Sequence, residues 1–389
     1  MEVLIKNALL LDAFLNCVQQ DVLISGERIV QVGRSLPDHE MALDLRGYTL
    51  MPGFIDAHVH VAVDRYSFSD EALLAWAQNG VTTVRELGML CALSAGDFEV
   101  WLDGHTGSPW ARVIKAGKYI DVDGGYGSGP DPSVLFGMIV KTPEQAADAV
   151  TYQFHKKSAG IKIGISDIEG PPGTPPGPRP RLSNGQIRAI CDRAHSHGMW
   201  VSAHLKTSAT LKELIACGID DAAHTPIDPI PDAVIADAVA RGVMFTTTIG
   251  NPDKTPPFIP AERLAEFRVK REKDRAVVLR NLKRIHQAGG VIAVGTDLMH
   301  SDDYAQDASI PVHELQQLSS IGLSMQDVIA CATYNAARIS HTERDEGSIQ
   351  AGKYANLIAV RGTLDHRFSN LKNVPFVMNR GEIIKNTNL

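Results

Sequence analysis

Over residues 1–50 apolar and polar positions alternate in short runs, at Val3–Ile5, Val22–Ile24, Arg28–Val32, Leu43–Leu45 and Tyr48–Met51. Ser25-Gly26 and Arg46-Gly47 separate some of them. A period of two broken by turn residues predicts short antiparallel strands. The far end has the same texture. Leu357–Arg361 and Pro375–Asn379 read as strands, Asn379-Arg380-Gly381 as a hairpin turn, and Glu382–Lys385 as its return. Two strand-rich ends around a different middle predict that residues 1–50 and 346–389 form one small β-sandwich domain.

Across residues 51–345 the period changes. Apolar runs stand at Phe54–Val59, Val81–Val84, Arg112–Ala116, Gly160–Ile165, Met199–Ala203, Ile219–Ala223, Val243–Thr247 and Val291–Val294. Helical stretches lie between them, at Asp70–Asn79, Pro143–Ala159, Ser183–His197, Ser208–Cys217, Asp232–Arg241 and Pro260–Ala288. Several end in glycine just before the next run (Gly80, Gly198, Gly218, Gly242, Gly289-Gly290), the expected helix stop. Strand–helix alternation predicts an α/β fold with parallel strands, and eight strands are the number that closes a (β/α)8 TIM-type barrel. The Pro- and Gly-rich segment from Glu169 to Arg181 follows the fourth run, where such a barrel carries active-site loops.

Composition narrows the function. Of 389 residues 44% are hydrophobic and 21% charged, with a net charge of −7, which suits a soluble enzyme on a small-molecule substrate and argues against nucleic acid. Five scattered cysteines without a C-x-x-C pair suit a reducing cytoplasm. No apolar stretch is long enough to span a membrane. A homo-oligomer is left open.

Chemistry gathers at the ends of the runs. His58 and His60 close the first and, two apart on a strand, point the same way. His204 closes the fifth, His224 the sixth, and Asp297 the eighth. Imidazoles and a carboxylate converging on one barrel mouth predict a site for divalent metal ions, zinc foremost. Lys162 sits inside the apolar run Gly160-Ile-Lys-Ile-Gly164, where a buried ammonium is costly. Reaction with CO2, giving N6-carboxylysine, turns that cation into an anion able to bridge two metals. The bland alternative is a lysine that reaches the rim or pairs with a carboxylate.

Met51-Pro-Gly-Phe-Ile-Asp-Ala-His-Val-His60, Lys162, the single histidines 204 and 224, Gly295-Thr-Asp297, Thr333-Tyr-Asn-Ala-Ala337 and Gly347–Leu357 together resemble the amidohydrolase superfamily. The resemblance implies a metal-dependent hydrolase in which His58, His60 and Asp297 hold one metal and His204 and His224 a second. Carboxylated Lys162 and a hydroxide would bridge the two. Asp297 would act as general base and then acid while the hydroxide attacks an amide-type C–N bond, in an N-acyl amino acid, dipeptide, aryl amide or cyclic amide.

The chain looks closest to the imidazolonepropionase-like and Xaa-Pro dipeptidase branch, but departs from the dipeptidases in the pocket. Gly124-Gly-Tyr-Gly127 stands for their Gly-Gly-His-Gly, His204-Leu-Lys-Thr207 for His-Ala-His-Gly, and Ala223-His-Thr225 for Glu-His-Gly. Lys118, Tyr119, Tyr126, Lys206 and His300 are therefore expected to contact substrate, the lysines suiting a carboxylate. Asp64, Arg65 and Tyr66 are weaker candidates. A one-metal deaminase, which Lys162 argues against, and a lactone, carbamate or phosphoester hydrolase are the alternatives.

Overall fold

Chain geometry follows the change in period. A computed structural model describes residues 2–61, 69–89, 95–128, 137–166, 177, 179–250, 261–298 and 307–387. The N-terminal strands are β1 (Glu2–Leu11), β2 (Asn16–Ser25), β3 (Arg28–Gly33), β4 (Ala42–Asp44) and β5 (Tyr48–Pro52). The C-terminal ones are β16 (Leu357–Arg361), β17 (Phe376–Asn379) and β18 (Glu382–Asn386). They form one sheet in the order β18-β17-β16-β5-β1-β2-β3, with β4 beside β1. Antiparallel pairing of β16 with β5, from Leu357 opposite Pro52 to Arg361 opposite Tyr48, joins the two ends. Strand alternation decides what each face covers. Leu357, Ala359, Phe376 and Met378 pack into the sheet's own core with Val3, Ile5 and Leu50. Ile358, Val360 and Val377, one residue out of step, pack into the large core of the middle region.

That middle region carries β6 (Phe54–Val59), β7 (Val81–Glu86), β8 (Arg112–Lys115), β9 (Tyr119–Asp121), β10 (Gly137–Ile139), β11 (Gly160–Gly164), β12 (Trp200–His204), β13 (Asp221–Ala222), β14 (Met244–Thr246) and β15 (Ile292–Ala293). All pair in parallel, in a three-stranded sheet β6-β7-β8 and a seven-stranded sheet β10-β9-β11-β12-β13-β14-β15. Hydrogen bonds cross between them at two places. Ala159 N donates to Lys115 O at 2.9 Å. On the other side Ala57 N donates to Val294 O, Asp297 N to His58 O and His60 N to Leu298 O, at 2.8–2.9 Å.

The connecting helices are α1 (Asp70–Gln78), α2 (Ala95–Asp103), α3 (Pro143–His155), α4 (Asn184–Ser196), α5 (Ser208–Cys217), α6 (Asp232–Ala240), α7 (Leu264–Gln287), α8 (Val312–Ser320), α9 (Met325–Cys331) and α10 (Tyr334–Ile339). Ser69, Thr142, Ser183, Thr207 and Ser324 cap α1, α3, α4, α5 and α9 through their hydroxyls. Two expected helices are shorter than their patterns. α3 stops at His155, because Lys157 takes φ 55° and turns the chain toward β11. α7 begins at Leu264 after a 3-10 turn at Ala261–Arg263. No helix among the described residues is long and apolar enough to cross a membrane.

The two faces of β11 and β12 differ. Ile161, Ile163, Val201, Ala203 and Leu205 pack outward into the helices. Lys162, Ser202 and His204 therefore share the other face, and register sets Lys162 beside Ser202 and Gly164 beside His204. Ser202 Oγ donates to Asp221 Oδ1 at 2.7 Å, and Asp221 Oδ2 accepts from Arg85 at 2.7 Å. Arg85 also donates to Ala57 O and Ile339 O and lies over the Trp200 ring. Such a buried pair costs about 3–5 kcal/mol when one partner alone is removed, so it fixes the floor on which the site rests.

Candidate metal centre

The site stands at the C-terminal ends of the parallel strands, above the Arg85–Asp221 pair. His58 and His60 are buried. Asp297 lies in the left-handed region at φ 56°, which an Asp tolerates better than most residues. Its Oδ1 is 3.2 Å from Nε2 of both histidines. These three groups place one ligand atom each within 4.8 Å of one another, a spacing that fits a single cation. The other ring nitrogens settle the tautomers. His58 Nδ1 faces Ala223 O at 3.0 Å and His60 Nδ1 faces Gly88 O at 2.9 Å. A carbonyl only accepts, so each Nδ1 carries a proton and Nε2 is the ring nitrogen left to face a cation. Among the described residues His58 Nε2 and Asp297 Oδ1 are buried without a hydrogen-bond partner, which fits a pair of cation ligands.

The remaining imidazoles continue the row. Ring centroids lie 5.4 Å apart for His60 and His58, 4.9 Å for His58 and His224, and 4.5 Å for His224 and His204. Lys162 is fully buried, and its Nζ has no hydrogen-bond partner among the described residues. It neither reaches the rim nor donates to a carboxylate. The Tyr119 ring lies beside it, with the centroid 5.8 Å from Nζ.

Electrostatics follow from burial. Burial pushes Lys162 down to about 7 against the opposing pull of Asp221 and Asp297. Burial first, then the neighbouring charges of Lys162 for His58 and of His204 for His224, keeps both imidazoles neutral, well below their ordinary range. Burial works to raise Asp297, but His58, His60 and Lys162 outweigh it and hold the carboxyl below the usual range. His60 differs. Burial lowers it, yet the carboxylates of Asp297 and Glu86 outweigh burial and raise it to about 9.

The expected substrate contacts separate by position. Tyr126 is half-buried and stacks on His204, with centroids 3.8 Å apart and planes 19° apart. Its turn is fixed by Asp121, whose carboxylate accepts Val122 N at 2.7 Å and Gly127 N at 2.6 Å. Tyr119 is buried, its ring so close to Gly88 that a Cβ there would stand 2.3 Å away. Lys118 and Lys206 are half-buried, and the charge of Lys206 acts on His224. His300, Asp64, Arg65, Tyr66 and most of the 169–181 segment lie outside the described residues.

Three residues around the site were not anticipated. Glu86 accepts Val61 N at 2.5 Å and sets a carboxylate oxygen 3.6 Å from His60 Nδ1. Its signal was a charged Arg85-Glu86 pair ending an apolar strand. Thr248 meets His224 Nδ1 at 2.9 Å, and buried Glu314 accepts Gly250 N at 2.7 Å. Nothing in the local sequence marks Glu314.

A model of the amidohydrolase family matches residues 128–387. An uncharacterized protein of Mycobacterium tuberculosis is 26% identical over 299 residues, covering 75% of this chain and 74% of its own. Among solved structures, an Xaa-Pro dipeptidase with bound methionine in its active site is 22% identical at a TM-score of 0.81, over 99% of this chain and 100% of that one. The ochratoxinase of A. niger is 20% identical at 0.81, over 100% and 96%.

Proposed function

The chain belongs to the amidohydrolase family and is a hydrolytic enzyme, and from that premise we propose that it cleaves an amide-type C–N bond at a two-cation site. The site lies at the mouth of a closed (β/α)8 barrel. The hydrogen bonds Ala159–Lys115 on one side and Ala57–Val294 on the other support closure, joining β6, β7, β8 and β11 to β15 into a ring of eight. Residues 51–345 make up the barrel, and residues 1–50 with 346–389 a β domain built on one sheet rather than the expected two-sheet sandwich, in a cytoplasmic protein. The free thiols of Cys17, Cys191, Cys217 and Cys331 support a reducing compartment.

In this reading His58, His60 and Asp297 hold one divalent cation, zinc by first choice, and His204 and His224 a second. Lys162, as N6-carboxylysine, would supply an anionic ligand to both. The observation that carries the reading is Lys162 Nζ, buried and, among the described residues, without a hydrogen-bond partner, as His58 Nε2 and Asp297 Oδ1 also are. The lone pair of the neutral amine forms the N–C bond to CO2 and one N–H proton leaves to solvent, giving a carbamate. That removes the uncompensated burial of an amine and adds an anion where cations are to be held.

Bound divalent cations lower the pKa of a water and polarise a scissile carbonyl. The chain supplies the rest. Asp297, an acceptor held low, takes a proton from the nucleophilic water and delivers it to the leaving nitrogen. Tyr126 stacks on His204 and the charge of Lys206 acts on His224, and a cationic side chain there suits an N-acyl amino acid or dipeptide with a free carboxylate. Tyr119 backs Lys162.

The test combines metal analysis with a substrate screen. Protein dialysed against zinc should hold about two equivalents. It should hydrolyse at least one among N-acyl amino acids, dipeptides, aryl amides and cyclic amides. Lys162→Ala should lose bound zinc and turnover together. A Lys162→Ala variant with full zinc content and full turnover would overturn the carbamate bridge, and a wild-type chain that binds no zinc would overturn the site.

A further inference from the structure

His58 and His60 take their orientation from backbone carbonyls, whereas His224 takes it from a side chain. Its Nδ1 stands 2.9 Å from Thr248 Oγ1. A hydroxyl can donate or accept, so the choice of tautomer rests on how Thr248 is held. Thr248 has φ 41°, a left-handed conformation that a β-branched residue rarely adopts. Backbone strain of this kind persists only where the surroundings enforce it, and it gathers at functional sites.

Bonds on both sides of Thr248 do the enforcing. Thr248 N donates to Gly295 O at 3.0 Å, and Thr247 N to Ala293 O at 3.0 Å. Gly295 N donates to Thr247 Oγ1 at 3.2 Å. Beyond Thr248 the chain is clamped by Glu314, a buried carboxylate on α8 that accepts Gly250 N at 2.7 Å and Ile249 N at 3.3 Å. Burying a carboxylate to hold two amides of one turn is costly unless the turn's shape matters.

We infer that Thr248 is a positioning residue: its hydroxyl oxygen accepts the Nδ1 proton of His224, leaving Nε2 free to ligate, while Glu314 keeps Thr248 in the strained state that aims the hydroxyl. This deepens the proposed site and rests on His224 being one of its ligands. Thr248 touches no reacting atom in this role. It selects the tautomer of a group that does.

The experiment measures zinc content and zinc affinity, by chelator competition, in the wild type and in Thr248→Val, Thr248→Ser and His224→Ala. Valine keeps the shape and the β-branch but has no oxygen; serine keeps the oxygen. Thr248→Val should bind the second zinc about 10–100-fold more weakly, the usual effect of losing an outer partner of a ligating imidazole. Thr248→Ser should stay near wild type. If Thr248→Val binds like wild type while His224→Ala loses an ion, this inference is wrong and the site stands. If His224→Ala also binds like wild type, the site assignment itself is wrong. Should valine prevent folding, 15N NMR of the zinc-loaded wild type decides. A proton on His224 Nδ1 supports the inference, and one on Nε2 overturns it.

Discussion

Asp121 shows how one side chain sets the state of another. It is fully buried, and burial raises its carboxyl to about 7 although Val122 N and Gly127 N donate to it. A carboxyl raised above its unfolded value near 3.8 favours the folded state below that value, and the contribution is lost as pH rises through 7. The loss is on the order of a few kcal/mol. Denaturant titrations from pH 4 to 8 should show Asp121→Asn with a flatter pH dependence than wild type; parallel curves would contradict the burial account. At this scale the sequence carried part of the site. The placement of His58, His60, His204, His224 and Asp297 could be read because each ends an apolar run, and that of Lys162 because it breaks one; that they hold metal is the proposal. Asp121 and Thr248 were not, since their roles depend on a turn and a backbone angle set by distant residues.

Among the elements, β11 is the clearest case of periodicity dictating function. Two isoleucines face the helices, which forces Lys162 onto the face shared with His204, and Gly164 leaves room beside it for Tyr126. A Cβ at Gly164 would lie 3.0 Å from Tyr126 Cδ1, closer than ordinary contact. Gly164→Ala should therefore displace the ring from His204 and lower kcat/KM roughly 2- to 10-fold, the worth of one aromatic pair, with little change in Tm. Wild-type kcat/KM in that variant would show that the stack is idle. Strands and longer helices could be read from period and glycine stops, and Gly80, Gly198, Gly218, Gly242 and Gly289 all take positive φ. The strands β9 and β10 were not read because three residues are too few to show a period, and the helices α2, α8 and α9 were not read either.

For the whole molecule, the question is how distant segments reach one point. The family match spans Lys162, His204, His224 and Asp297 but begins after His58 and His60. Those two arrive through β6, hydrogen-bonded to the chain around Asp297 by His58 O and His60 N. β5 just before it is pinned to the C-terminal strand β16. Both chain ends thus hold the first strand of the parallel set in place. The most direct measurement is a crystal structure of the zinc-loaded enzyme with anomalous scattering at the zinc edge. Two peaks are predicted, one among His58, His60 and Asp297 and one beside His204 and His224, with carboxylate density extending Lys162 between them. A map with no peak there and a bare lysine would contradict the account.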